Sequence, residues 1–136
     1  MAKPIVAALV LSALAFAPGC ASRYQVQASE PALAADAQVV VKKNKTGTYD
    51  VSVEMAHLPP ADRLGNYASY AVWVIAKDAE PVKAGVLDYN ERKRTAELEF
   101  SSPHRKFEMV ITLEKDIEAT KPGRVAIIEQ SVKGRG

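Results

Sequence analysis

The sequence predicts an all-β fold, a seven-stranded antiparallel β-sandwich, on three observations. Tyr67 to Lys77 is apolar on both faces, rich in β-branched and aromatic residues and home to the only tryptophan, the composition of a central strand with protein on each side. Tyr49 to Met55 and Thr95 to Phe100 alternate apolar with polar residues, the two-residue period of half-buried strands. Turn residues punctuate the chain at short, regular spacing, and no segment there keeps a convincing helical period. At 136 residues one hydrophobic core is expected, because a second would be too small to hold together.

The N-terminus reads as an export signal. Lys3 supplies a positive charge, Ile5 to Phe16 is a mostly apolar run, and Ala17, Pro18, Gly19 and Cys20 follow. A run that short does not cross a bilayer, which takes about 20 apolar residues, but it suits the h-region of a secretory signal. The order small residue, glycine, cysteine resembles the lipobox of bacterial lipoproteins. That resemblance implies residues 1–19 as a lipoprotein-type signal peptide and Cys20 as the lipidated new N-terminus. Two or more acyl chains would anchor the protein stably in a membrane, and Ala21 rather than Asp after the cysteine implies the outer membrane. The alternative is ordinary cleavage after Ala21, which would discard Cys20. Residues 20–37 are alanine-rich, with Pro31 and no sustained period, and read as a flexible tether. Fully extended, residues 21–37 would reach on the order of 50 Å.

The sandwich is expected over residues 38–133. Val39 to Lys43 is the first strand, and the turn after it ends in Gly47, suited to a positive φ. The second strand points Tyr49, Val51, Val53 and Met55 at the core, and Leu58, Pro59 and Pro60 stop it, since proline offers no amide to a ladder. Tyr67 to Lys77 is the third. Val82 to Tyr89 returns as a weaker fourth strand, with Gly85 marking a bulge or a close backbone contact. Ala96, Leu98 and Phe100 face inward from the fifth, and Phe107, Met109, Ile111 and Leu113 from the sixth. Asp116 to Gly123 is a polar loop, Val125 to Val132 the seventh strand, and residues 134–136 a tail. The expected sheets set the first, second and fifth strands against the seventh, sixth, third and fourth, in the immunoglobulin or fibronectin type III class. A buried tryptophan on the third strand of that class points Trp73 inward, which turns Tyr70, Val72 and Val74 outward as an apolar contact patch.

Four stretches carry a family resemblance: Tyr-Ala-Val-Trp-Val from Tyr70, Ala-Gly-Val-Leu at 84–87, Phe-Glu-Met-Val-Ile-Thr-Leu-Glu at 107–114 and Pro-Gly-Arg-Val-Ala-Ile-Ile at 122–128. Together they resemble the extracytoplasmic domain of anti-sigma-K-type factors, which implies an immunoglobulin-like envelope domain. Nothing in the chain corresponds to the sigma-binding helices or the spanning helix of such a factor, so sigma-factor inhibition is not implied.

Eighteen Lys and Arg against sixteen Asp and Glu is too even for a surface built wholly for nucleic acid, and the basic positions lack interleaved aromatics. A single cysteine excludes an intramolecular disulfide and a cysteine-based zinc site. No Gly-x-Ser-x-Gly or His-Glu-x-x-His signature is present, and no cofactor is implied. Ser102 lies near His104 without an orienting acid, and His57 closes the second strand on its core side as a partly buried residue. Alternating strand directions gather Lys42, Lys43, Lys45, Lys77, His104, Arg105 and Lys106 at one pole against Asp78 and Glu80. With the first strand entering from the other end, this basic pole is expected to face away from the lipid anchor. The loops Leu58 to Asn66 and Asp116 to Gly123 gather at the opposite pole with Arg92, Lys93 and Arg94. The expected function is a non-enzymatic, membrane-anchored envelope lipoprotein binding a protein or an anionic envelope polymer through Lys43, Lys45, Arg105, Lys106 and Tyr70, with no nucleic-acid partner. A small carbohydrate-binding module using Tyr67, Tyr70 and Tyr89, and a hydrolase with an unrecognised site, are the alternatives.

Overall fold

The structure, a computed structural model, describes residues 21–135, so the expected signal peptide and Cys20 lie outside the described residues. Nine strands are present among them: β1 (Ala21–Gln27), β2 (Asp36–Lys43), β3 (Tyr49–Ala56), β4 (Ser69–Ile75), β5 (Val82–Val86), β6 (Asp88–Asn90), β7 (Thr95–Ser102), β8 (Lys106–Glu114) and β9 (Ala126–Lys133). They form two antiparallel sheets, ordered β1-β2-β3-β7-β6 and β5-β4-β8-β9, closed face to face over one apolar interior. The expected grouping is therefore present as β2-β3-β7 and β5-β4-β8-β9, with two strands more than the seven expected.

One additional strand comes from dividing Val82 to Tyr89. Gly85 sits opposite a register shift between Val72 and Trp73, and a Cβ there would lie 3.1 Å from the Leu98 side chain, so bulge and close approach coincide as expected. Leu87 is then buried, its N–H donating to the Tyr70 carbonyl at 2.9 Å, and the chain crosses to the other sheet, where β6 pairs with β7.

The other additional strand corrects the flexible tether. Residues 21–27 pair along their whole length with β2, from Ala21 opposite Lys42 to Gln27 opposite Asp36. Ser22 Oγ and Tyr24 Oη both donate to the Lys133 carbonyl, at 3.0 and 3.2 Å, and stitch β1 to the end of β9. The alanines of the connection that follows are structural: Ala28, Ala32 and Ala35 are buried, because only a small side chain fits where the chain turns against the end of the core. The start of the expected C-terminal tail is corrected in the same way. Gly134 donates to the Arg105 carbonyl at 2.8 Å and lies so close to the Tyr49 ring that a Cβ would come within 2.6 Å.

The core face of β3 is as expected, with Tyr49, Val51, Val53 and Met55 buried, and so is that of β8, with Phe107, Met109, Ile111 and Leu113. The face of β4 is reversed. Tyr70, Val72 and Val74 point into the shared interior, while Trp73 packs on the outer side of its sheet. The apolar contact patch expected from those three residues does not exist. Trp73 is nevertheless fully buried (0% exposed), because the chain between Lys115 and Val125 folds back over it.

Tyr70 instead joins a latch. Its hydroxyl donates to the Pro59 carbonyl at 2.6 Å, and that of Tyr89 to the neighbouring Leu58 carbonyl at 2.6 Å, with the rings 6.4 Å apart. These bonds satisfy consecutive carbonyls just after β3 ends, where His57 turns with φ 57°. Burial, and secondarily Tyr89, push the Tyr70 hydroxyl well above its usual range. The unfolded chain therefore loses this proton first, so the associated stability is complete below about pH 10 and falls as pH rises beyond it. Tyr70→Phe is expected to cost about 1 kcal/mol at neutral pH and to flatten the alkaline fall of the urea midpoint. An unchanged alkaline slope in the variant would remove Tyr70 as its source.

Candidate functional site

Four of the expected binding residues converge. Lys43 ends β2, Lys45 sits in the following turn, and Arg105 and Lys106 sit where the chain passes from β7 to β8; all four are exposed. The turn around Lys45 is closed by side-chain-to-backbone hydrogen bonds. The Asn44 side-chain carbonyl accepts from the N–H groups of Thr46 and Thr48 at 3.0 and 3.1 Å, and Gly47 takes φ 89°. Strand β1 and the end of β9 bring in cations that sequence position had not assigned to this end. Arg23 stands opposite Val40, two residues along from the Ala21–Lys42 pair, and Lys133 stands opposite Lys106 in the sheet.

Counting residues 21–23, 42–50, 75–82, 101–107 and 132–135, this pole holds nine Lys and Arg against Asp50, Asp78 and Glu80. The chain's formal charge is +2, so a pole of +6 leaves −4 for everything else. The protein is thus electrically two-ended.

The orientation of this end is opposite to the expected one. Strand β2 does enter from the far end, but β1 precedes it and runs antiparallel, which returns the start of the described chain to the basic pole. Ala21, one residue after Cys20, is buried and paired beside Lys42.

The fifth expected contact, Tyr70, is 2% exposed and committed to Pro59, so it belongs to the interior and not to a binding surface. Tyr89 spends its hydroxyl on Leu58, which leaves no exposed platform built from Tyr67, Tyr70 and Tyr89. Ser102 is buried and its oxygen accepts from the backbone N–H of His104 at 3.1 Å. His57, expected partly buried, has a side chain 75% exposed, with its Nδ1 3.3 Å from Asp36 Oδ1. It lies at the far end of the sandwich from His104, so the two imidazoles do not share a site.

At the end away from the basic pole, the outer face of the five-stranded sheet forms an open cleft of about 800 Å³. Register places Glu54 directly opposite Glu97, and Glu97 opposite Asp88, in one acidic row across β3, β7 and β6. Like charges directly opposed on a sheet face are unfavourable, and Lys93 at the rim is the nearby cation among the cleft residues. Sequence reading missed this row because Glu54 is far from Asp88 and Glu97 in the chain and only cross-strand pairing aligns the three. Comparison of the chain with protein-family models, with curated proteins and with solved structures gives no match.

Proposed function

We propose that the protein is a non-enzymatic envelope lipoprotein, anchored through Cys20, whose β-sandwich binds a protein or envelope polymer at the end remote from the anchor. The observation that carries this reading is the position of Ala21: a chain with an export-like leader and one cysteine enters its folded domain one residue after that cysteine. Anchored there, the sandwich stands on its basic pole and presents the acidic cleft, the loop from Leu58 to Asn66 and the chain between Lys115 and Val125 outward. A binding role is favoured over catalysis because Ser102 is spent on a backbone contact and the histidines stand at opposite ends. The resemblance to anti-sigma-K-type outer domains bears on the kind of fold and adds no activity.

The test is metabolic labelling of the full chain with a palmitate analogue, followed by fractionation of the host. Wild type is expected to carry label and to sediment with membranes, and Cys20→Ala to lose both. Unlabelled wild-type protein in the soluble fraction would overturn the reading. A photo-crosslinking residue at Glu97 is expected to capture a defined partner in cells where one placed at Lys45 does not.

A further inference from the structure

We propose that the basic pole is a docking surface for anionic phospholipid headgroups, so that the sandwich lies against the bilayer end-on instead of swinging from a tether. The inference deepens the anchored reading and rests on it. Two independent observations lead to it. The first is where the chain outside the structure joins: residue 20 is bonded to Ala21, and Ala21 is fixed in the sheet beside Lys42, which leaves no slack between an anchor at that position and the domain. An acylated Cys20 therefore brings the pole within one or two residues' reach of the headgroups, roughly 3.5 Å per residue and inside a Debye length of about 8 Å.

The second observation is charge. The pole carries +6 while the remainder of the chain carries −4, so an anionic surface attracts this end and repels the other. Its cations come from separate parts of the chain, with Arg23 from β1, Lys42, Lys43 and Lys45 from the β2–β3 turn, Lys106 from β8 and Lys133 from β9. Those six side chains are all exposed. Such a surface holds fluid anionic headgroups without stereochemical recognition, because lysine acts as a point charge that any phosphate can approach. An anionic wall polymer further out is the poorer fit, since the anchor would place this end against lipid.

The experiment uses full-length Cys20→Ser protein, which lacks the acylated cysteine, with vesicles of phosphatidylcholine alone or with 30% phosphatidylglycerol. The N-terminal run and its Lys3 are common to the unaltered protein and to the pole variant below, so the anionic preference lost between those two proteins reads the pole. Binding is expected to be at least about tenfold tighter to the anionic vesicles at low salt, from about fivefold per engaged Lys or Arg. The preference should vanish near 0.5 M NaCl. Substituting Lys42, Lys43, Lys45 and Lys106 by Gln is expected to abolish it, while Lys93→Gln with Arg124→Gln at the other end leaves it intact. The salt series on the unaltered pole keeps the test independent of how the variants fold. Equal binding to both vesicles, or retention on isolated anionic wall polymer in place of vesicles, would overturn the docking surface. Neither result touches the anchored reading, which palmitate labelling of Cys20 decides separately.

Discussion

Trp73→Ala is expected to lower stability by about 3–5 kcal/mol, the largest loss at any single side chain of the outer sheet face. Trp73 is fully buried, and its Nε1–H donates to Thr112 Oγ1 at 2.8 Å. Thr112 in turn donates to Glu114, whose Oε2 also accepts the Gly123 N–H at 2.7 Å. The Lys83 ammonium lies 5.9 Å from the indole centroid and donates to the Ile117 and Ala119 carbonyls at 2.8 and 2.9 Å. The indole is thus the floor on which residues 115–125 rest, and removing it takes away both the apolar contact and the first donor of a buried chain of hydrogen bonds. Gly123 allows the close approach: a Cβ there would sit 3.0 Å from the Leu113 carbonyl oxygen. Urea unfolding should show the loss in midpoint, and limited proteolysis should cut between Lys115 and Arg124 well before the sandwich opens. Trp73→Phe keeps most of the area but removes the donor to Thr112 Oγ1, which retains its bond to Glu114, for an expected cost nearer 1–3 kcal/mol. A Trp73→Ala protein as stable and as protease-resistant as wild type would contradict this packing.

Val72→Asp is expected to abolish stable folding at neutral pH. Val72 is 0% exposed and sits in the shared interior with Met109, Ile111 and Leu113. An unpaired carboxylate there must stay neutral or force the sheets apart, and either outcome costs several kcal/mol, a large part of the 5–15 kcal/mol that holds a typical domain together. Circular dichroism and a solubility assay of the purified variant decide the matter. A soluble variant with a cooperative transition would return Val72 to the outer surface and reverse the sheet faces described above.

The core faces of β3 and β8 were legible because one side of each strand is apolar and the other is not, so a two-residue period alone identifies the interior. Strand β4 offers no such asymmetry. Tyr70, Val72 and Val74 on one side and Ala71 and Trp73 on the other are all buried, and local pattern cannot rank two apolar faces. The analogy with a buried tryptophan chose the wrong one because it took burial to mean the space between the sheets, whereas a loop from the other side of the chain supplies Trp73's cover. Strand β1 was missed for a related reason. Its residues are short, polar or small, and what makes them a strand is the ladder to β2 together with Lys133, a partner 109 residues away from Tyr24.

By itself the sequence determined the all-β class, the positions of the principal strands, the inward residues of those with one apolar face, and the gathering of Lys43, Lys45, Arg105 and Lys106 at one end. Those features follow from alternation and turn chemistry, which act over a few residues and are written locally. Only the tertiary structure decided that Trp73 faces outward under a loop, that Tyr70 is a latch and not a contact, and that Glu54, Glu97 and Asp88 align. It alone also returned Ala21 to the basic pole. Each of those depends on which distant backbone supplies the hydrogen bonds or the covering surface, and a one-dimensional pattern holds no record of that choice.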